Sequence, residues 1–300
     1  VHRSISRIVQ VLLIPVLLLS SVTLASAQTA SLTVAGTPAV NIRSCAALDC
    51  DVLAVAPLGS ILTPTSDPVD GFTPVEYGNV EGYAYSLYLL EAGEDLWFRE
   101  GQAGCNRIAL IFNIGIGFEP SQSIVDTLVS TGTPATMFPM GYFASAQPAY
   151  VQQLHDAGFP IGTHGQETLD LTTLTSDQVT WDIDTSLDVI GGIIGAEPEP
   201  LFTPYAASSD AAVRSVVASL GVLPIGWNVA ATDFNWTATA DIVYDEVMNA
   251  IYDGAIVEMH LDGPATGQST AAALPRLISD LDAAGYTFVT IPEMILPCSQ

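Results

Sequence analysis

Residues 108–121 read IALIFNIGIGFEPS. An apolar run, Ile108–Phe112, passes straight into Asn113-Ile114-Gly115, and a second glycine follows at Gly117. A short uninterrupted apolar run ending in a glycine-bearing loop reads as a strand buried on both faces of a parallel sheet. The C-terminal tip of such a strand is where α/β folds carry their chemistry. This tip offers an amide and an isoleucine in place of charge.

The same rhythm continues toward the C-terminus. Strands are expected at Ile108–Phe112, Ala135–Met140, Phe159–Gly162, Leu201–Thr203, Val222–Trp227, Ala255–His260 and Tyr286–Ile291. Amphipathic helices fit between them at Ser121–Ser130, Ala149–Ala157, Ser176–Ile194, Asp210–Leu220, Ala240–Tyr252 and Thr270–Ala284. Val179, Ile183, Leu187, Ile190 and Ile194 keep helical spacing along the longest. Seven such repeats predict an α/β fold, an irregular seven-stranded (β/α) barrel, with its site at the C-terminal strand ends.

Before residue 91 the pattern differs. Ser31–Val34, Ala39–Ile42, Val52–Val55, Ser60–Leu62, Phe72–Tyr77 and Gly82–Tyr85 fit short strands separated by turn residues. They predict a small all-β barrel over residues 31–90. Its aromatics Phe72, Tyr77, Tyr83, Tyr85 and Tyr88 fit either a sugar-binding face or a core. The acidic, glycine-containing stretch 91–104 reads as a linker to a second domain at 105–298.

At the N-terminus, Arg3 and Arg7 precede the apolar stretch Ile8–Leu19, and Ala25-Ser26-Ala27 offers a small-residue cleavage site. Residues 1–27 therefore read as a secretion signal, which predicts an extracellular or envelope-associated protein with no membrane span after cleavage. Export makes Cys45, Cys50, Cys105 and Cys298 candidates for disulfides, with three pairings open. The chain has no lysine and a formal charge of −25. That surface repels nucleic acid and acidic polysaccharide, so neutral partners are expected and nucleic acid is excluded. The sequence does not fix an oligomeric state.

The strand tips collect polar residues: Asn113; His164 with Glu167, Thr168 and Asp170; Tyr205; Trp227, Asn228 and Asp233; Glu258, His260 and Asp262. Glu258 and His260 alternate onto one side of their strand. No G-x-S-x-G elbow accompanies them.

Two family resemblances organise these motifs. VNIRSCAALDCDVLAVAPLGS and DGFTPVEYGNVEGYAYSLYL (residues 40–60 and 70–89) resemble the bacterial SH3-like domain, through Asn41, Arg43, Ser44, Gly82-Tyr83 and Tyr88-Leu89. IALIFNIG, ATMFPMG, IGTHGQETLDLTTLT, TPYA, GAIVEMH and YTFVTIPEM resemble, in order, the strand-end motifs of the NodB-type polysaccharide deacetylases. That resemblance implies a divalent-metal enzyme stripping acetyl groups from chitin, peptidoglycan or xylan. It puts Asn113 at the general base and His260 at the general acid. Tyr205 falls at the oxyanion donor, and Ile114, His164 and Thr168 at the metal ligands. Phe202 stands in place of the base-orienting arginine, and Ala230 in place of an aspartate.

An amide cannot accept a proton at neutral pH, and one imidazole does not hold a zinc that takes about three protein ligands. Three readings follow. The first is a catalytically silent glycan- or peptidoglycan-binding protein with no cofactor, its cleft lined by Tyr205, Trp227, Trp236, Asp233, His164 and His260. The second is an active deacetylase, a hydrolase of non-peptide carbon–nitrogen bonds, with zinc on a rewired set including Glu167 or Glu258. The third is a structural envelope protein.

Overall fold

The structure is a computed structural model and describes residues 31–298; the expected signal at 1–27 lies outside them. The N-terminal strands are β1 (Leu32–Val34), β2 (Ala39–Arg43), β3 (Val52–Pro57), β4 (Ile61–Pro64), β5 (Phe72–Tyr77), β6 (Val80–Tyr85) and β7 (Leu89–Leu90). They form one seven-stranded sheet in the order β3-β2-β6-β5-β4-β1-β7, paired antiparallel. Alternation explains the packing: Val40 and Ile42 are buried while Asn41 between them is exposed. They join Val34, Leu62, Val75 and Ala84 in one apolar cluster.

Of the aromatics here, Phe72, Tyr77, Tyr85 and Tyr88 serve packing. Phe72 is buried against Tyr85, Tyr85 meets Tyr88 edge-on, and the Tyr85 hydroxyl donates to the Ile295 carbonyl across the unit boundary. The stretch 91–104 also departs from a free linker. Leu96 and Phe98 are buried with Ala35, Ile111, Phe138 and Ile225 in a cluster shared by both units. Phe98 bridges to Ile225 and Glu100 to Ala255. Gly226 permits this approach, because a Cβ there would meet Trp97 Nε1 at 2.1 Å.

The second unit is α/β. Strand β8 (Arg107–Ile114) is buried along its whole length apart from Arg107. Parallel neighbours are β9 (Thr136–Pro139), β13 (Ile256–His260) and β14 (Thr287–Val289), and β12 (Val229–Ala230) pairs β13. Strands β10 (Leu201–Phe202) and β11 (Leu223–Pro224) form a parallel pair, linked to the rest by the bridges Thr163–Phe202 and Met137–Ile161. Among the described residues no pairing joins β11 to β12. Parallel pairing brings the C-terminal strand tips to one end.

The helices are α1 (Gln122–Thr131), α2 (Gly141–Ala146), α3 (Pro148–Asp156), α4 (Ser176–Ile194), α5 (Ala211–Ser219), α6 (Ala240–Ala250), α7 (Thr270–Ala283) and α8 (Ile291–Ile295). Helix α4 has the expected bounds because its ends are written locally. Thr175 and Gln178 form a capping box, and Gly195 closes the helix with φ 67°. Three strand expectations shrink. Phe159–Gly162 keeps only the bridge at Ile161, and Val222–Trp227 keeps Leu223–Pro224. Pro160, Gly162, Pro224 and Gly226 interrupt these ladders. Tyr286–Ile291 ends at Val289, where the Thr290–Glu293 capping box starts α8.

Both disulfides are intradomain closures of one of the three open pairings. Cys45–Cys50 and Cys105–Cys298 have Cα separations of 5.7 and 6.0 Å, within the range a disulfide spans.

Candidate functional site

A cavity of about 340 Å3 opens at the strand tips, lined by Asn113, Ile116, His164, Tyr205, Ala206, Ala207, Trp227, Ala230, Phe234, Glu258 and His260. Its floor follows from sheet register. On β13, Glu258 lies opposite Ile111 and His260 opposite Asn113 of β8, so alternation presents both side chains to the side where Asn113 stands.

The floor is a continuous polar chain. Thr270 Oγ1 donates to Asp233 Oδ2 (2.6 Å), and Asp233 Oδ1 lies 2.8 Å from His260 Nδ1. His260 Nε2 lies 3.1 Å from Glu258 Oε1, which also accepts from Asn113 Nδ2 at 3.3 Å. Asn113 Oδ1 accepts from Thr203 Oγ1 (2.8 Å). His164 Nδ1 reaches the Thr203 carbonyl at 2.9 Å and its hydroxyl at 2.8 Å.

The two histidines hold opposite protonation states. Both ring nitrogens of His260 face carboxyl groups, an arrangement that favours the doubly protonated ring. Burial pushes this imidazole down, but Glu258, hydrogen-bonded Asp233 and Asp262 lift it from 6.5 to about 9. His164 goes the other way, to about 3, chiefly through burial and then through the charge of His260. A carbonyl only accepts, so the His164 proton sits on Nδ1 and Nε2 is a bare acceptor. Burial raises the Glu258 carboxyl above its ordinary range, with His260 opposing and Asp233 reinforcing the shift.

Around this floor the loops are held by two further buried carboxylates. Asp262 Oδ2 accepts from the Gly115 and Gly117 N–H groups (3.0 and 3.1 Å), which ties the β8 tip to the β13 tip. Gly115 has φ 130°, and a Cβ on it would meet Met140 Cγ at 2.6 Å. Asp182 on α4 accepts from the Glu167 N–H (3.0 Å) beneath the His164 loop, and burial lifts its carboxyl to about 6.

The three metal-ligand positions do not supply a ligand set. Ile114 is fully buried in the apolar cluster with Phe112, Ile124 and Met140, and Thr168 is exposed. His164 offers one free nitrogen. Glu167 is exposed and does not line the cavity, which removes it as a substitute ligand. Glu258 does reach the cavity, but its Oε1 is committed to His260 and Asn113. Among the described residues no group of three or more His, Cys, Asp or Glu side chains is placed to hold a metal ion. This donor set does not fit a zinc site.

Two expected glycan contacts are corrected. Asp233 is fully buried behind His260 and orients that ring without reaching the cavity. Trp236 is 72% exposed, packs edge-on to Phe118 and lies outside the lining. Phe234, two residues earlier, takes that place, 6.0 Å from the His260 ring. Tyr205 and Trp227 line the cavity as expected from their strand tips. Sequence reasoning missed Phe234 and Thr203; the latter was visible only as the residue preceding Pro204-Tyr205. Phe202, in place of the arginine, is buried with Leu171, Val179 and Val217.

Residues 100–225 match the family model described as Polysaccharide deacetylase. The peptidoglycan-N-acetylmuramic acid deacetylase PdaA of Bacillus subtilis is 28% identical over 190 residues, 63% of this chain and 71% of that protein. Its solved structure superposes with a TM-score of 0.61, covering 66% of this chain and 84% of that one. The peptidoglycan-N-acetylglucosamine deacetylase PgdA of Listeria monocytogenes is 30% identical over 63% of this chain but only 38% of its own length. A family 4 carbohydrate esterase pseudoenzyme from Bacillus anthracis shares the fold, with a TM-score of 0.63 at 22% identity over 68% of this chain and 70% of that one. The α/β unit shares its fold with solved family 4 carbohydrate esterases. This chain carries a polysaccharide deacetylase domain.

Proposed function

We propose that this protein binds cell-wall glycan in the cavity and does not remove its acetyl groups. In this reading it is an exported, envelope-associated pseudoenzyme: an irregular seven-stranded (β/α) barrel preceded by an SH3-like module that packs against it. The observation that carries it is the fate of the three ligand positions, one buried among aliphatics, one on the surface and one left as a lone imidazole. Water needs a bound metal to bring its pKa from about 15.7 toward about 7, and a base to take the proton. Asn113 supplies neither. Binding needs less. Tyr205, Trp227 and Phe234 offer ring faces for a sugar, with His164, His260 and Glu258 as hydrogen-bonding groups.

The peptidoglycan deacetylase names of the relatives support cell-wall glycan as the ligand class. The test is metal analysis of the purified protein, acetate release from acetylated chitin and xylan oligomers, and pull-down on peptidoglycan. Binding without acetate release is expected. Stoichiometric zinc with acetate release abolished by His164→Ala overturns the proposal in favour of a rewired deacetylase. Failure to bind any glycan leaves a scaffold role.

A further inference from the structure

The cavity floor sets two carboxyl groups against one cation. Asp233 and Glu258 share one imidazolium, His260. Glu258 is 3% exposed and uses Oε1; among the described residues no hydrogen bond or ion pair reaches its Oε2, and the residue lines the cavity. No lysine exists in the chain. The described arginines are all engaged elsewhere. Arg43 donates to the Cys50 carbonyl, Arg99 to Asn228 and Arg107 to Leu296. Arg214 pairs with Asp95 and Arg276 with Asp280. Burial favours a proton on this carboxyl, and a cationic donor from a ligand would take that proton's place.

The remaining groups fit the same demand. His164 Nε2 is a second bare acceptor on the cavity wall. Tyr205, Trp227 and Phe234 present aromatic faces, which attract cations as well as sugar rings. An acetamido group brings one N–H donor and a carbonyl acceptor, so at Glu258 Oε2 and His164 Nε2 it satisfies one acceptor and supplies no charge. A free ammonium brings three donors and a charge. The geometry points to an amino sugar with its acetyl group already removed: the unit seated in the cavity carries a free ammonium on Glu258 Oε2 and His164 Nε2. This rests on the glycan-binding reading above and names the sugar unit it selects. The protein then recognises what a deacetylase leaves behind.

The test uses the full chain and two tetramers of N-acetylglucosamine, one fully acetylated and one with a single free amine. A single amine keeps the attraction between a polycation and this acidic surface small. Calorimetric titration is expected to show about tenfold tighter binding of the free-amine tetramer, the scale of one charge-assisted hydrogen bond. Glu258→Gln, checked for an unchanged melting temperature, is expected to bring the two affinities within about twofold. If that variant does not fold, the wild-type comparison decides alone. Equal or tighter binding of the fully acetylated tetramer overturns the inference and leaves the glycan-binding reading standing. A preference that survives Glu258→Gln in folded protein also overturns it. Binding of neither tetramer overturns both.

Discussion

Glu258 Oε1 lies 3.1 Å from His260 Nε2, and the opposite nitrogen of that ring is 2.8 Å from Asp233. The ring is therefore an imidazolium locked between two acids, raised to about 9. A histidine raised in the folded state stabilises fully below its ordinary value of 6.5, and that stabilisation is lost as pH rises through about 9. Ring-proton NMR should show His260 doubly protonated at pH 7.5, with Glu258→Gln moving its midpoint down. A midpoint near the ordinary value in the wild type would contradict the arrangement.

His164 should behave oppositely. Its folded-state value of about 3 lies below the ordinary 6.5, so its contribution is present above 6.5 and is lost as pH falls from there toward 3. His260 and Asp182, raised to about 9 and about 6, oppose that loss between pH 7 and pH 5, so urea unfolding should show His164→Asn gaining stability relative to the wild type as pH falls through this range. An identical slope in the variant would assign the acid sensitivity to other groups.

Restoring metal chemistry requires three changes together. Ile114 is fully buried among aliphatic side chains, so Ile114→Asp alone places an unpaired carboxylate there and should cost about 3 kcal/mol or more. Adding Asn113→Asp and Thr168→His supplies the base and the third ligand. The triple variant should gain a zinc-dependent rise in melting temperature, and the single variant should not. Zinc stabilisation of the wild type would show that another ligand set exists.

What was legible in the sequence follows from how local each signal is. Strand β8 and helix α4 announce themselves because burial on both faces and a 3.6-residue stripe are written in consecutive residues. The family resemblance at the strand tips was legible for the same reason: Asn113, Ile114 and Thr168 stand in short motifs of consecutive residues. Asp233 and Trp236 were misplaced because their loop turns through Thr232, a non-glycine residue with φ 55°. No residue type at that position signals such a turn. The same holds at Ala206 and Ala207, with φ 51° and 56°, beside Tyr205. Cross-strand partners such as Thr203 with Asn113 depend on register between distant strands, which one sequence does not show.

The cavity lining separates two tryptophans that look equivalent in sequence. Trp227 borders the cavity, whereas Trp236 stands outside it against Phe118. Trp227→Ala should weaken glycan-oligomer binding by about 1–2 kcal/mol, roughly tenfold, since buried aromatic anchors dominate such contacts. Trp236→Ala should change it by less than about twofold. Calorimetry on both variants checks the pair. Equal losses would extend the binding surface out to the Phe118–Trp236 edge.

The two disulfides should differ in weight because they close loops of very different length. Cys105–Cys298 spans 193 residues and ties the segment leading into β8 to the end of α8, whereas Cys45–Cys50 spans 5. Loop-closure entropy of the unfolded chain then assigns about 5 kcal/mol to the long closure and about 2 kcal/mol to the short one. Arg107 already fastens the same ends, donating to the Glu293 and Leu296 carbonyls (3.1 and 2.9 Å), so the native ends should stay close after the bond is removed. Cys105→Ala with Cys298→Ala should therefore lower unfolding free energy by acting mainly on the unfolded ensemble, with glycan affinity unchanged. Cys45→Ala with Cys50→Ala should cost less than half as much. Denaturant titration of both double variants, alongside oligomer binding, measures this. Loss of binding on removing Cys105–Cys298 in folded protein would instead show that the closure shapes the cavity.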